Sequence, residues 1–230
     1  MARLARIVLP NLPHHVTQRG NGRAQTFFGD EDYRLYKSLL AEQCHQRSIK
    51  VLGWCLMPNH VHLILTPPEP DALRGALSRV HRAYAGHIHA RETRTGHFWQ
   101  GRFGCVAMDD DHLVAAMAYV ALNPVRASLA DRPQDWRWSC VKAYRKPGFE
   151  DGLTDSGAVA PYRTSAMALI KAGLEDERFD ALRRAETIGR PVGEQDFLIR
   201  AEKHLGRRLR PAKRGPKPRG NSGPDGGLDN

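Results

Sequence analysis

The sequence predicts an α+β fold: a ferredoxin-like or RRM-like split βαβ unit with an antiparallel sheet, followed by extra C-terminal helices and a basic disordered tail. Three observations predict it. Segments of strand and helix character follow one another as strand, helix, strand, strand, helix, strand between residues 14 and 108. Two amphipathic stripes with helical spacing fall between the strands. Pro58-Asn59 divides one long apolar run into two adjacent strands, as a hairpin requires. In such a unit both helices sit on one face of the sheet, and the open face serves as a platform, in RRM domains for RNA bases.

Taken in order, His14-His15-Val16-Thr17-Gln18-Arg19 is a first strand, closed by the turn residues Gly20-Asn21-Gly22. Gly29-Asp30 offers an N-cap, and Tyr33, Tyr36, Leu39, Leu40 and Cys44 recur at helical spacing, predicting a helix from Asp30 to about Arg47. Ile49 to Leu56 and His60 to Thr66 read as the second and third strands. Pro67, Pro68 and Pro70 end that pattern. Asp71 can cap a helix with the stripe Leu73, Leu77, Val80, Tyr84 and Ile88; Arg74, Arg79, Arg82 and His87 form its solvated side. Gly96 to Met108 mixes aromatic and β-branched residues with glycines, a strand interrupted by bends. Asp109-Asp110-Asp111 cap and oppose the dipole of a helix running toward Asn123-Pro124.

Beyond it, Trp136 to Arg145 predicts a short helix over the core, and Glu150 to Ala160 a Gly/Asp/Ser-rich linker. Helices follow at about Thr164–Gly173, Glu175–Thr187 and Glu194–Leu205, the last ended by Gly206. The expected division is a core of residues 1–147, a helical extension of 148–206 and a basic tail of 207–230, disordered by composition.

Composition narrows the classes. No run of about 18 apolar residues is present, which excludes a membrane-spanning helix. Cys44, Cys55, Cys105 and Cys140 are widely spaced and form no Cys-x-x-Cys, which argues against a zinc ribbon or disulfide framework and for a cytoplasmic protein with reduced thiols. Net charge is +10 and uneven: Lys203 to Arg219 holds eight Lys or Arg and no acid, and Asp225 and Asp229 follow, so residues 1–202 carry +4. A basic tail fits a polyanion, most often nucleic acid, or a solubilising role.

Two features carry chemistry. On a strand, His60 and His62 project to one face while Val61, Leu63 and Leu65 point into a core. Paired imidazoles on a rigid element make half of a metal site. On the helix after Asp111, His112, Tyr119 and Asn123 lie within about 40° of one another at 100° per residue, and Tyr119 and Asn123 are i,i+4 neighbours able to address one point. Singly, Tyr119 reads as a core-edge tyrosine and Asn123, before a proline, as a helix C-cap. Jointly they supply a nucleophile and a third ligand to face the histidine pair.

Met57-Pro58-Asn59-His60-Val61-His62-Leu63-Ile64, Phe98-Trp99-Gln100-Gly101-Arg102-Phe103 and Tyr119-Val120-Ala121-Leu122-Asn123-Pro124-Val125-Arg126-Ala127 together resemble the HUH single-tyrosine transposases, and within them the REP-associated tyrosine transposase branch. Gly189-Arg190-Pro191-Val192-Gly193 and the basic tail resemble that branch too. The likeness covers most of residues 8–145. It implies that residues 1–147 are a catalytic domain, with His60 and His62 as the paired ligands, Tyr119 as nucleophile and Asn123 as third ligand of a Mg2+ or Mn2+ ion. Insertion-sequence relatives often have glutamine at that last position. The reaction implied is cleavage and rejoining of single-stranded DNA at a REP-like hairpin through a 5′-phosphotyrosine. The absence of G-x-x-x-x-G-K-[ST] agrees with a reaction that needs no nucleotide cofactor.

Arg19, Asn21, Trp99, Arg102 and Arg126 are candidate DNA contacts, as are Arg207, Arg208, Arg210, Lys213 and Arg214 of the tail. The resemblance favours a monomer using its own tyrosine, cytoplasmic and, in a bacterium, nucleoid-associated. The competing reading is a non-catalytic, RRM-like nucleic-acid binder whose histidines hold no metal. A two-histidine phosphoesterase would need a second His-x-Ser/Thr repeat, and none is present.

Overall fold

A computed structural model describes residues 6–173, 177–206 and 208–209. Four strands form one antiparallel sheet in the order β2-β3-β1-β4: β1 (His14–Arg19), β2 (Lys50–Met57), β3 (His60–Thr66) and β4 (Gly104–Ala107). The crossovers are α1 (Asp30–Gln46), between β1 and β2, and α2 (Ala72–Arg91), between β3 and β4. The split βαβ order read from the pattern is therefore the observed one. The strand expected over Gly96 to Met108 is shorter. Gly101 sits at φ 150°, in a region that favours glycine, and the chain bends through residues 96–103 before β4 begins. Those bends still reach β1, since Gln100 N–H donates to the Arg19 carbonyl at 2.9 Å.

Both sheet edges are closed by later chain. Leu56 N–H and Cys140 N–H bond to the carbonyls of Trp138 and Trp54 along β2. Beside β4, Val192 N–H donates to Ala107 and Asp109 N–H to Val192. Among the described residues, later chain thus occupies part of each edge, which blunts pairing with another chain.

Helices cover both faces of the sheet. Val61, Leu63 and Leu65 are fully buried on one side, in a core shared with Tyr36 and Leu40 of α1 and Leu73, Leu77, Val80 and Tyr84 of α2. The opposite side, expected as a platform, is covered by α3 (Asp110–Arg126), whose Tyr119 ring meets the rings of His15 and His62. The reason is compositional: Leu113, Ala115 to Ala118 and Val120 to Leu122 are all buried, far more apolar surface than a solvent-facing helix carries.

Asp109 caps α3 by accepting the His112 N–H at 2.9 Å. The helix runs through Pro124 in its last turn to Arg126, so Asn123 is helical and not a C-cap. The short helices α4 (Val141–Arg145) and α5 (Ser156–Val159) follow, α5 lying in the segment expected as linker. α6 (Arg163–Ala172) and α7 (Glu177–Ile188) pack against α3. α8 (Gln195–Leu205) ends at Gly206 in the left-handed conformation, and its Phe197 and Ala201 cluster with Ile7 and Leu9. No helix among the described residues is long and apolar enough to cross a membrane.

Candidate active site

Alternation along β3 places His60 and His62 on the α3 side, with ring centroids 4.9 Å apart, edge to face. β1 adds His15 to the same face, because Thr17 pairs with His62 and His15 lies two residues along from it. The His15 and His62 rings stack at 5.2 Å, and His15 Nε2 lies 3.0 Å from His62 Nδ1. His60 Nδ1 lies 2.6 Å from Asn59 Oδ1. Burial, reinforced by the guanidiniums of Arg19 and Arg126, lowers the His60 pKa to about 3. The His62 pKa falls well below its ordinary value, first through burial and then through His60, His15 and the same arginines. Both imidazoles are thus neutral at pH 7, the form in which histidine binds a metal.

α3 brings Tyr119, Asn123 and Arg126 to one side. Arg126 Nη2 donates to Tyr119 Oη at 2.8 Å and to Asn123 Oδ1 at 2.6 Å, with the guanidinium 4.4 Å from the phenol centroid. Seven residues are about two turns, so Arg126 reaches back over Tyr119 only because the helix persists past Pro124. The Tyr119 ring is buried, in contact with the rings of His15, His62 and Phe179 and with the Arg126 guanidinium. Burial and the Glu186 carboxylate raise its pKa, while Arg126 pulls it back.

α7 closes the far wall with Phe179 and Glu186. Glu186 Oε1 stands 3.4 Å from His15 Nδ1, and burial pushes its carboxyl up to about 7. Four buried polar atoms here lack a hydrogen-bond partner among the described residues: His15 Nδ1, His62 Nε2, Asn123 Nδ2 and Glu186 Oε1. His15, His62 and Glu186 present ligand atoms within 4.8 Å of one another. Neutral imidazoles grouped with a carboxylate, and a buried His62 Nε2 without a partner, fit a divalent cation.

A cavity of ≈ 440 Å³ opens onto this cluster, lined by Arg19, His60, His62, Gln100, Arg102 and Glu186 among others. Of the expected DNA contacts, Arg19 and Arg102 therefore stand at the mouth of the site, and Arg126 lies within it, held against Tyr119. Trp99 is half-buried in an aromatic cluster with Tyr36, His81 and Tyr84, its indole N–H bonded to the His81 carbonyl at 3.0 Å. Asn21 is exposed and borders a separate cleft with His97 and Phe98. Arg208 is exposed; Arg207, Arg210, Lys213 and Arg214 lie outside the described residues. His112, grouped with Tyr119 by helical angle, instead bonds Asp109 at 2.7 Å at the far end of α3.

A family model described as "Transposase IS200 like" matches residues 9–123, half of the chain. The chain belongs to the IS200-like transposase family. A REP-associated tyrosine transposase of Haemophilus influenzae is 24% identical over 115 residues, covering 45% of this chain. The chain spans 65% of that relative's length. A solved REP-associated tyrosine transposase, bound to a REP hairpin, superposes with a TM-score of 0.53 at 21% identity, over 66% of this chain and 90% of that one. This likeness establishes a shared fold.

The IS200-like segment, ending at Asn123, includes His15, His60, His62 and Tyr119; Arg126, Phe179 and Glu186 lie past its end. Sequence reasoning missed His15, Phe179 and Glu186 as neighbours of Tyr119. For His15 the signal was present, since strand alternation puts it in line with Thr17 and Arg19. For the α7 residues no local signal exists, because only tertiary packing of a remote helix brings them in.

Proposed function

We propose that this IS200-like chain cleaves and rejoins single-stranded DNA at a REP-like hairpin, through a 5′-phosphotyrosine on Tyr119 and with Mg2+ or Mn2+ at His60, His62 and Asn123. One observation carries the reading: the phenol of Tyr119 lies against the buried imidazoles of its own chain, which also favours a monomer acting in cis. When bound, the cation supplies charge to the non-bridging oxygens of the scissile phosphate.

The remaining work falls to side chains. Tyr119 Oη forms the new bond to phosphorus in line with the departing 3′ oxygen. The P–O3′ bond breaks, its electron pair leaves with that oxygen, and the freed oxygen takes up a proton as a 3′-hydroxyl. The phenol, with an ordinary pKa near ~10, must lose its proton by the time of attack. Arg126 favours that loss by donating to Oη. One phosphoester replaces another, so attack of a 3′-hydroxyl on the phosphotyrosine rejoins the strand without a nucleotide cofactor. Arg19 and Arg102, at the cavity mouth, suit the flanking phosphates. A hairpin partner is supported by the REP-hairpin complex of the structural relative.

The test is a hairpin oligonucleotide labelled at its 3′ end, incubated with Mn2+ and stopped in denaturant. Wild type should carry label on the protein, and Tyr119→Phe should carry none while still binding the hairpin. Adducts at wild-type level in Tyr119→Phe would overturn Tyr119 as the nucleophile, and intact DNA with wild type would leave only the non-catalytic binder.

A further inference from the structure

The two histidines of the pair can each present either ring nitrogen, and which is free depends on what holds the other. For His60 the surroundings decide. Asn59 Nδ2 donates to the Arg23 carbonyl at 3.1 Å, which fixes that amide with Oδ1 toward His60 Nδ1 at 2.6 Å. An amide oxygen only accepts, so His60 Nδ1 carries the proton and Nε2 is left as a lone pair.

For His62 the partner is another imidazole, and the bond between His15 Nε2 and His62 Nδ1 is compatible with a proton on either ring. The carboxylate beyond breaks the tie. Glu186 Oε1 lies 3.4 Å from His15 Nδ1, within reach though not a closed hydrogen bond, and neither atom has another partner among the described residues. At pH 8, above the value of about 7 to which burial raises it, the Glu186 carboxyl is an anionic acceptor, and it keeps the His15 proton on Nδ1. His15 Nε2 is then an acceptor, and the proton in the bond belongs to His62 Nδ1. The His62 nitrogen that remains is Nε2, buried without a partner. Arg19 lines the same cavity as His62, and a lone pair, unlike an N–H, is the favourable group to point toward positive charge.

We propose that His15, anchored by Glu186, and Asn59 are positioning residues that lock both imidazoles of the pair with Nδ1 protonated, so that both aim Nε2 at the cation. The inference rests on the reading of His60 and His62 as cation ligands. It gives Glu186 a role through His15 and not as a ligand itself, and it makes α7 part of the site. Partners of this outer kind, which hold the ring nitrogen away from a metal, typically alter metal affinity 10–100-fold when removed.

The experiment has two readouts. Long-range 1H–15N correlation on metal-free, 15N-histidine-labelled protein at pH 8 reports the tautomer of each ring. Wild type should show His60 and His62 both protonated at Nδ1. His15→Phe should move His62, and Asn59→Leu should move His60, toward the Nε2-protonated form, each leaving the other ring unchanged. Mn2+ titration followed by electron paramagnetic resonance should then show affinity about 10–100-fold weaker for both variants. Glu186→Leu should weaken binding several-fold. Glu186→Gln, whose carboxamide oxygen still accepts from His15, should restore it, which separates the relay from damage to folding.

A wild-type His62 protonated at Nε2 would overturn the relay. So would loss of Mn2+ binding in Glu186→Gln as severe as in His62→Ala, because Glu186 would then be a ligand. Locked tautomers in a wild-type protein that binds no Mn2+ would uphold the relay and sink the cation reading instead.

Discussion

On the proposed reading, the reactivity of Tyr119 turns on Arg126. One guanidinium nitrogen bridges the phenol oxygen and the Asn123 carboxamide, and its charge opposes the burial and the Glu186 carboxylate that raise the phenol pKa. Removing it leaves only the weaker pull of Arg183 against the two raising causes, so the phenol pKa climbs further and the phenolate becomes scarcer at neutral pH. Arg126→Gln should therefore shift the pH dependence of adduct formation toward alkaline pH. A shift of one unit would lower the rate at pH 7 about tenfold, with the deficit shrinking as pH approaches the phenol pKa. Single-turnover rates from pH 7 to 10 check this; superimposable profiles would show that Arg126 serves packing or DNA alone. The variant also frees Asn123 Oδ1, so a tighter Mn2+ affinity is expected alongside the slower reaction.

At the scale of elements, local signals carried most of the fold. The hairpin of β2 and β3 was legible because Pro58-Asn59 marks its turn and Val61, Leu63 and Leu65 alternate with the histidines. α8 was legible from Gly206, which supplies the left-handed stop. What the chain did not reveal was long-range: α3 lying over the sheet, its persistence past Pro124, and α7 delivering Glu186 to His15. An irregularity in β2 is likewise visible only in three dimensions. The register against β3 shifts between Val51 and Gly53, and a methyl group at Gly53 would meet Tyr144 Oη and approach Ile64 Cδ1 to 3.1 Å. Tyr144 is fully buried and donates to the Leu52 carbonyl at 2.6 Å, so it has nowhere to retreat without losing that bond. Gly53→Ala should cost about 2–4 kcal/mol, from overpacking and a buried hydroxyl left unpaired. Urea unfolding measures it, and an unchanged midpoint would mean that α4 moves aside freely.

Across the whole molecule, the core does not stop at residue 147. Ala166, Ile170, Phe179, Leu182 and Ala185 of α6 and α7 share one buried cluster with the sheet and α3. The described residues up to 206 should therefore unfold in one transition, and histidines away from the site add to His60 and His62 within it in making that transition pH-dependent. His14 accepts the Leu9 N–H at Nε2 and donates from Nδ1 to the Leu12 carbonyl, and burial lowers its pKa to about 4. His81 shares a 3.0 Å hydrogen bond with Tyr36, and burial lowers its pKa to about 3. In the unfolded chain both return to about 6.5. Between these values the unfolded state binds the protons and the folded state does not, so stability is full above pH 6.5 and declines as pH falls toward the folded values. By pH 5 each histidine should have cost roughly 2 kcal/mol. The melting temperature should therefore drop steadily from pH 7.5 to pH 5, and His81→Gln, which cannot take up a proton, should flatten the slope. A melting temperature constant over that range would mean that both rings are already hydrated in the folded protein.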